Sequence, residues 1–145
     1  GQNQGADCFH CHGGILFQAQ NPLAGGITNN GLDASFADLG AGAITGNSTD
    51  NGTFKSPSLR NISLTGPYMH DGRFQSLNEV IDHYSDNINF SSPNISPNLA
   101  NHVSGPGGPP EQMNLTAVQK ENLLNFLKTL TDSTFITNPK YSNPF

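Results

Sequence analysis

Cys8 and Cys11, three positions apart, are the chain's two cysteines, and His12 follows the second directly. Three chemistries are open to such a pair: a redox dithiol, half of a zinc site, or an anchor for haem. A thioredoxin-like dithiol has no need of the histidine, and zinc needs further ligands at matched spacing that the sequence does not offer. The run Cys-Phe-His-Cys-His instead has the form of a haem c attachment motif. Two thioethers fix the ring, and His12, one residue past the second anchor, reaches the iron as proximal ligand. With both thiols consumed, no disulfide is possible. Attachment of haem c takes place outside the bacterial cytoplasm, so the expected location is the periplasm or beyond.

The elements around this motif have little apolar material. The chain has 145 residues, the size of one domain (1–145), and 34% of them are hydrophobic, with no Trp. Sixteen Gly and ten Pro point to much ordered loop. A large rigid cofactor in the middle suits that composition. The formal charge of −5, with six Lys and Arg scattered singly, argues against nucleic acid or an anionic membrane as partner. No apolar run approaches the ~18 residues of a membrane span. The first residues are polar and lack an initiator Met, as expected of a processed protein or a fragment.

A short helix is expected from Gly5 to His12, presenting both sulfurs to one edge of the porphyrin. From Gly13 to Asn61 the sequence reads as loop, with one short helix over Asp33 to Leu39. Ser76 and Glu79 form a capping box for the next helix, in which Leu77, Val80, Ile81 and Tyr84 make one buried stripe. That spacing turns His83 away from the stripe, toward solvent. Residues 87–113 read as loop, ending in SGPGGPP. Thr116 and Gln119 cap a helix running to about Leu130, with Leu123, Phe126, Leu127 and Leu130 on one face. The tail after it is irregular, with enough aromatics to lie back on the domain. The Asn-x-Ser/Thr sequons read as by-products of Asn-rich loops, and His10 as an exposed filler.

The segment FKSPSLRNISLTGPYMHDGRFQSLNEVIDHYS, Phe54 to Ser85, closely resembles the C-terminal haem domain of bacterial dihaem cytochrome c peroxidases and their MauG relatives. CFHCHGG, NNGLD at 29–33 and LLNFLKTLTD extend the resemblance over nearly the whole chain. The resemblance implies an all-α fold, a class I cytochrome c-like domain with long ordered loops around one covalent haem c. In that family one haem binds peroxide and a second passes electrons to it. This chain has a single haem motif and resembles only the second domain, so the N-terminal haem domain is expected elsewhere, on a missing part of the chain or on a second haem chain.

The candidates for the sixth iron position are Met69, His70, His83, Tyr84 and His102. In the peroxidases the iron-binding Met lies fourteen residues after the His of the PY-x-H motif, and in MauG a Tyr ligates instead. Here Tyr84 stands fourteen residues after His70. The resemblance therefore implies Tyr84 as ligand, with Met69 as the alternative; on spacing alone Tyr84 equally completes the Leu77 stripe. A phenolate lowers the potential of the iron, whereas a thioether raises it. His70 is implied to lie near the haem without ligating it. Thr65 and Pro67 match positions whose backbone carbonyls bind calcium between the two domains, and oxygen ligands suit that cation. Arg60 either pairs with a haem propionate or fixes a loop by a bidentate hydrogen bond.

The function these features imply is electron relay to a peroxide-reducing haem, with electrons from a small donor cytochrome or cupredoxin. A stand-alone single-haem carrier and a MauG-like oxidase of a partner protein are the alternatives. Peroxide chemistry on this chain would need a positioned acid or base, and the nearest carboxylates, Asp71 and Glu79, both have structural explanations.

Overall fold

In the computed structural model the described residues are 6–18, 26–101, 103–105 and 107–142. Gly5, at the start of the first expected helix, and His102 lie outside them.

Two helices form the frame. Helix α2, Leu77–Asp86, begins at Ser76, whose hydroxyl accepts from Glu79 N while the Glu79 carboxylate accepts from Ser76 N, the reciprocal bond of a capping box. Helix α4, Ala117–Thr129, is opened in the same way by Thr116 and Gln119. Between them they bury a small apolar cluster of Leu77, Ile81 and Leu127, covered by Leu59, Ile62, Tyr68, Leu123, Leu124 and Leu130. Ser85, fully buried, ties α2 to the chain entering α4: its hydroxyl accepts from Leu115 N at 2.8 Å and its carbonyl from Asn114 N at 3.0 Å. Lys120 reaches back from α4 to Asp82, at 2.6 Å, and to Asp86.

The architecture is helical with a small sheet rather than all-α. Strands β1, Ile27–Thr28, and β2, Phe54–Lys55, pair antiparallel with Ile27 opposite Lys55 and Thr28 opposite Phe54. Strands of two residues carry no readable alternation, and it is the non-local pairing that makes them strands. No helix occupies Asp33 to Leu39. A short helix, α1, spans Ala41–Thr45 instead, entered through Gly40 at φ 55°, ψ −130°. A Cβ on Gly40 would sit 2.2 Å from the Thr53 carbonyl, so the close approach needs glycine.

The remaining elements are single turns. Among the described residues 3-10 turns cover Cys8–His10, Ser48–Asp50, Ile62–Leu64 and Pro139–Tyr141, α3 spans Pro97–Ala100 and α5 spans Ser133–Ile136. The tail is thus partly helical, and Phe135 and Tyr141 stay half-exposed, with their rings 4.9 Å apart. Phe126, expected in the α4 stripe, is also half-exposed and meets Phe17 edge-on. No helix among the described residues is long and apolar enough to cross a membrane.

Candidate functional site

The Cys-Phe-His-Cys-His run folds into a tight turn in which His12 N donates to the Cys8 carbonyl at 2.8 Å and Cys11 N to the same oxygen at 3.2 Å. Both thiols are free. The hydroxyls of Thr28 and Ser56, brought together by the β1–β2 pairing, hydrogen-bond to Cys11, whose pKa burial nevertheless raises. His10 is exposed and set against Asp7 at 3.2 Å.

The ring of His12 is fixed by acceptors. Its Nδ1 lies 3.0 Å from the Pro57 carbonyl and 3.3 Å from that of Phe17, and neither oxygen can donate. Nδ1 must therefore carry the proton, which leaves the lone pair on Nε2. Burial lowers the pKa of this imidazole and keeps it neutral, the form that binds metals. The residues present fit haem c in two respects: two free thiols, and a neutral imidazole whose metal-facing nitrogen is set by a hydrogen bond on the other.

The loop after His12 is held down by residues 58–60. Leu59 N donates to Phe17 O at 3.1 Å, and the Ser58 hydroxyl donates to Leu16 O. Arg60 places both Nε and Nη2 on the Ile15 carbonyl, at 3.0 and 2.6 Å, with its guanidinium 5.8 Å from the Phe17 ring. This is the contact that the loop-fixing alternative for Arg60 requires.

The two candidate distal ligands converge on one amide. Asn30 Nδ2 donates to Met69 Sδ at 3.3 Å and to the Tyr84 hydroxyl at 3.4 Å. Cys8 and Cys11 lie within electrostatic reach of Tyr84. Its pKa is pushed up to about 12, first by burial. Tyr84 does not join the cluster formed by Leu77 and Ile81. It sits on the last turns of α2, where the 29–31 loop covers the helix. Met69 is held at φ 72°, a left-handed backbone costly for a residue with a Cβ.

His83 is not solvated. It is 4% exposed, and its Nε2 donates to the Asn30 carbonyl at 2.9 Å. The expectation failed because α2 is covered on two sides, by α4 and by the Asn-Asn-Gly loop. The sequence did not single out Asn30, which lies between the two candidate ligands; the NNGLD run that contains it is the available signal.

His70 is exposed and stacks on Phe54, ring centroids 3.8 Å apart and 12° from parallel. Both rings line a cleft of 190 Å³ shared with Asn30, Asp33, Asp71 and Arg73. The Arg73 guanidinium pairs with Asp33 and Asp71 and holds both carboxyls below their usual range. Glu79 is a helix cap, as expected, and Asp71 is an ion-pair partner of Arg73. Thr65 and Pro67 are exposed on the turn that precedes Tyr68. Among the described residues no group of three or more His, Cys, Asp or Glu could hold a metal ion.

No protein-family profile matches the chain. Against known sequences it is 34% identical over 108 residues to the cytochrome-c peroxidase IdrP1 of Pseudomonas sp. strain SCT, covering 74% of this chain and 25% of that protein. It is 34% identical over 117 residues to the methylamine utilization protein MauG of Paracoccus denitrificans, covering 71% of this chain and 30% of MauG. The chain thus spans between a quarter and a third of these relatives. Among solved structures, a MauG-like protein associated with microbial copper homeostasis superposes with a TM-score of 0.73 at 39% identity, over 96% of this chain and 46% of that one. The diheme peroxidase BthA of Burkholderia thailandensis shares the fold, with a TM-score of 0.64 at 20% identity over 91% of this chain and 40% of its own.

Proposed function

This chain belongs, over the stretch it shares with them, to the family of cytochrome-c peroxidases and MauG proteins, and from that premise we propose that it is a periplasmic c-type haem electron-transfer domain. In this reading residues 1–145 form one class I cytochrome-like domain, equivalent to the C-terminal half of a two-haem peroxidase. Its haem relays electrons to a peroxide-reducing haem on a second domain or chain. Haem c, when bound, supplies a one-electron couple whose potential its axial ligands set.

The chain's residues divide the work. Cys8 and Cys11 anchor the ring, and His12 offers Nε2 because Pro57 and Phe17 hold the proton on Nδ1. Tyr84, with Met69 as the alternative, fills the sixth position. Arg60 fixes the loop that follows the anchors, and His70 lies near the haem at the face toward the second domain. The same reading has calcium on the exposed backbone carbonyls of Thr65 and Pro67, completed by that domain. A small donor cytochrome or cupredoxin supplies the electrons.

The observation that supports relay over peroxide chemistry is the gathering of two protein donors, Met69 Sδ and Tyr84 Oη, around the side-chain amide of Asn30. An iron whose sixth position is filled by the protein has no site for peroxide. The carboxylates that could serve as acid or base are taken by Arg73 and by the α2 cap. The haem-loaded chain, mixed with peroxide and a reduced cytochrome, should exchange electrons without sustained turnover; turnover by this chain alone contradicts the relay. Tyr84→Phe should alter the ferric absorption spectrum. If it does not while Met69→Ala does, Met69 is the ligand. A MauG-like oxidase of a partner protein is the second reading, and the Tyr at position 84 favours it.

A further inference from the structure

The loop carrying Asn30 is bolted to the rest of the molecule at three successive carbonyls. That of Asn29 accepts from Ser96 N at 3.0 Å, that of Asn30 from His83 Nε2 at 2.9 Å, and that of Gly31 from Asn89 N at 2.8 Å. The buried side chain of Asn29 adds Nδ2 bonds to the Ser92 hydroxyl at 3.0 Å and the Pro93 carbonyl at 2.6 Å, and its Oδ1 accepts from Gly31 N. Gly31 has φ 69°, and a Cβ there would meet Ile88 Cγ2 at 2.8 Å. The backbone at position 30 therefore has little freedom, and its side chain is aimed by the fold.

That side chain faces Met69 Sδ at 3.3 Å. A thioether sulfur has no proton to give, so the atom facing it is the amide nitrogen and not the amide oxygen. The same NH2 group has a second proton, directed at the Tyr84 oxygen 3.4 Å away. One fixed double donor thus serves both atoms that could occupy the iron's sixth position.

We propose that Asn30 is the positioning residue of the distal ligand, holding the coordinating atom of Tyr84 or Met69 in place and drawing electron density from it through an N–H hydrogen bond. This rests on the reading that one of those two side chains ligates the iron. A donor hydrogen bond weakens the ligand's donation to ferric iron, so it raises the reduction potential whichever atom coordinates. His83 acts behind Asn30 as a strut on its carbonyl. The pair Asn30 and His83 brings loop and helix to the distal face as one rigid unit.

The test uses the haem-loaded chain and reads the midpoint potential and the ferric spectrum, with thermal unfolding alongside. Asn30→Leu removes the donor and keeps the bulk, and Asn30→Asp keeps the shape and removes the N–H. Both should shift the potential downward and move the ferric bands, with the covalent haem retained. Should Asn30→Leu fold poorly, Asn30→Asp carries the test alone. An unchanged potential and spectrum in the folded variants overturns the proposal. Tyr84→Phe and Met69→Leu, measured in parallel, separate the two levels. If one of them changes the ferric spectrum while the Asn30 variants do not, only the role of Asn30 is lost; if neither does, the ligand reading itself is lost, and Asn30 with it.

Discussion

A buried histidine with one committed nitrogen is a structural investment even when it touches no ligand. His83 is 4% exposed and donates to the backbone carbonyl of Asn30, the residue whose side-chain amide faces Met69 and Tyr84. Replacing it with Leu leaves that carbonyl without its partner, at a cost of about 1–3 kcal/mol. The urea midpoint of His83→Leu should fall with the slope unchanged. His83 also shows where reading at this scale stops. Its helical spacing correctly separated it from Leu77 and Ile81, but spacing says nothing of what covers the opposite face. The candidate proximal site is proposed from the sequence alone because its motif is written in five consecutive residues. Asn30 meets its partners 39 and 54 positions later, and no local rule connects them.

Helix ends were legible because their signals are local. Ser-x-x-Glu at 76–79 and Thr-x-x-Gln at 116–119 are local devices, and both close as capping boxes. Ser76→Ala should cost about 1 kcal/mol, and the loss should appear as a lower thermal midpoint. Leu127→Ala, between α2 and α4, should cost about 2–5 kcal/mol by opening a cavity in the one cluster the helices share. Loop contacts behave differently. Arg73 joins Asp33 to Asp71, and both carboxyls titrate below their usual range because of it. The unfolded chain then binds more protons than the folded one between the depressed and the ordinary carboxyl pKa. The stabilisation is complete above the ordinary value, near pH 4, and is lost as pH falls through the depressed one. These side chains are about a third exposed or more, so the effect is about 1 kcal/mol or less. Asp33→Asn should be slightly less stable than the parent at pH 7, and the gap should close as the pH is lowered toward 2.

For a chain of 145 residues the apolar interior is slight. Among the described residues the buried hydrophobics are Leu77, Ile81, Ile88 and Leu127, while Phe9, Ile15, Ile44 and Val118 are each more than 60% exposed. The composition had suggested as much, with its Gly and Pro and its lack of Trp. The β1–β2 pairing and the displaced α1 were not legible, because elements of two to five residues are decided by tertiary contact rather than by pattern. A haem ring linked at Cys8 and Cys11 would supply the apolar surface that the side chains do not. A Cys8→Ala, Cys11→Ala chain should therefore keep part of its far-ultraviolet helix signal and lose its cooperative thermal transition.

The segment after the anchors is fastened by partners from a single later stretch. His12, Ile15, Leu16 and Phe17 are held by Pro57, Arg60, Ser58 and Leu59. A polypeptide threaded from its N-terminal end presents both thiols and the imidazole before residues 57–60 are available to hold the segment from His12 to Phe17. The order of the sequence thus sets the order in which these contacts can form, with the cysteines presented first and the fastening of the segment after them last.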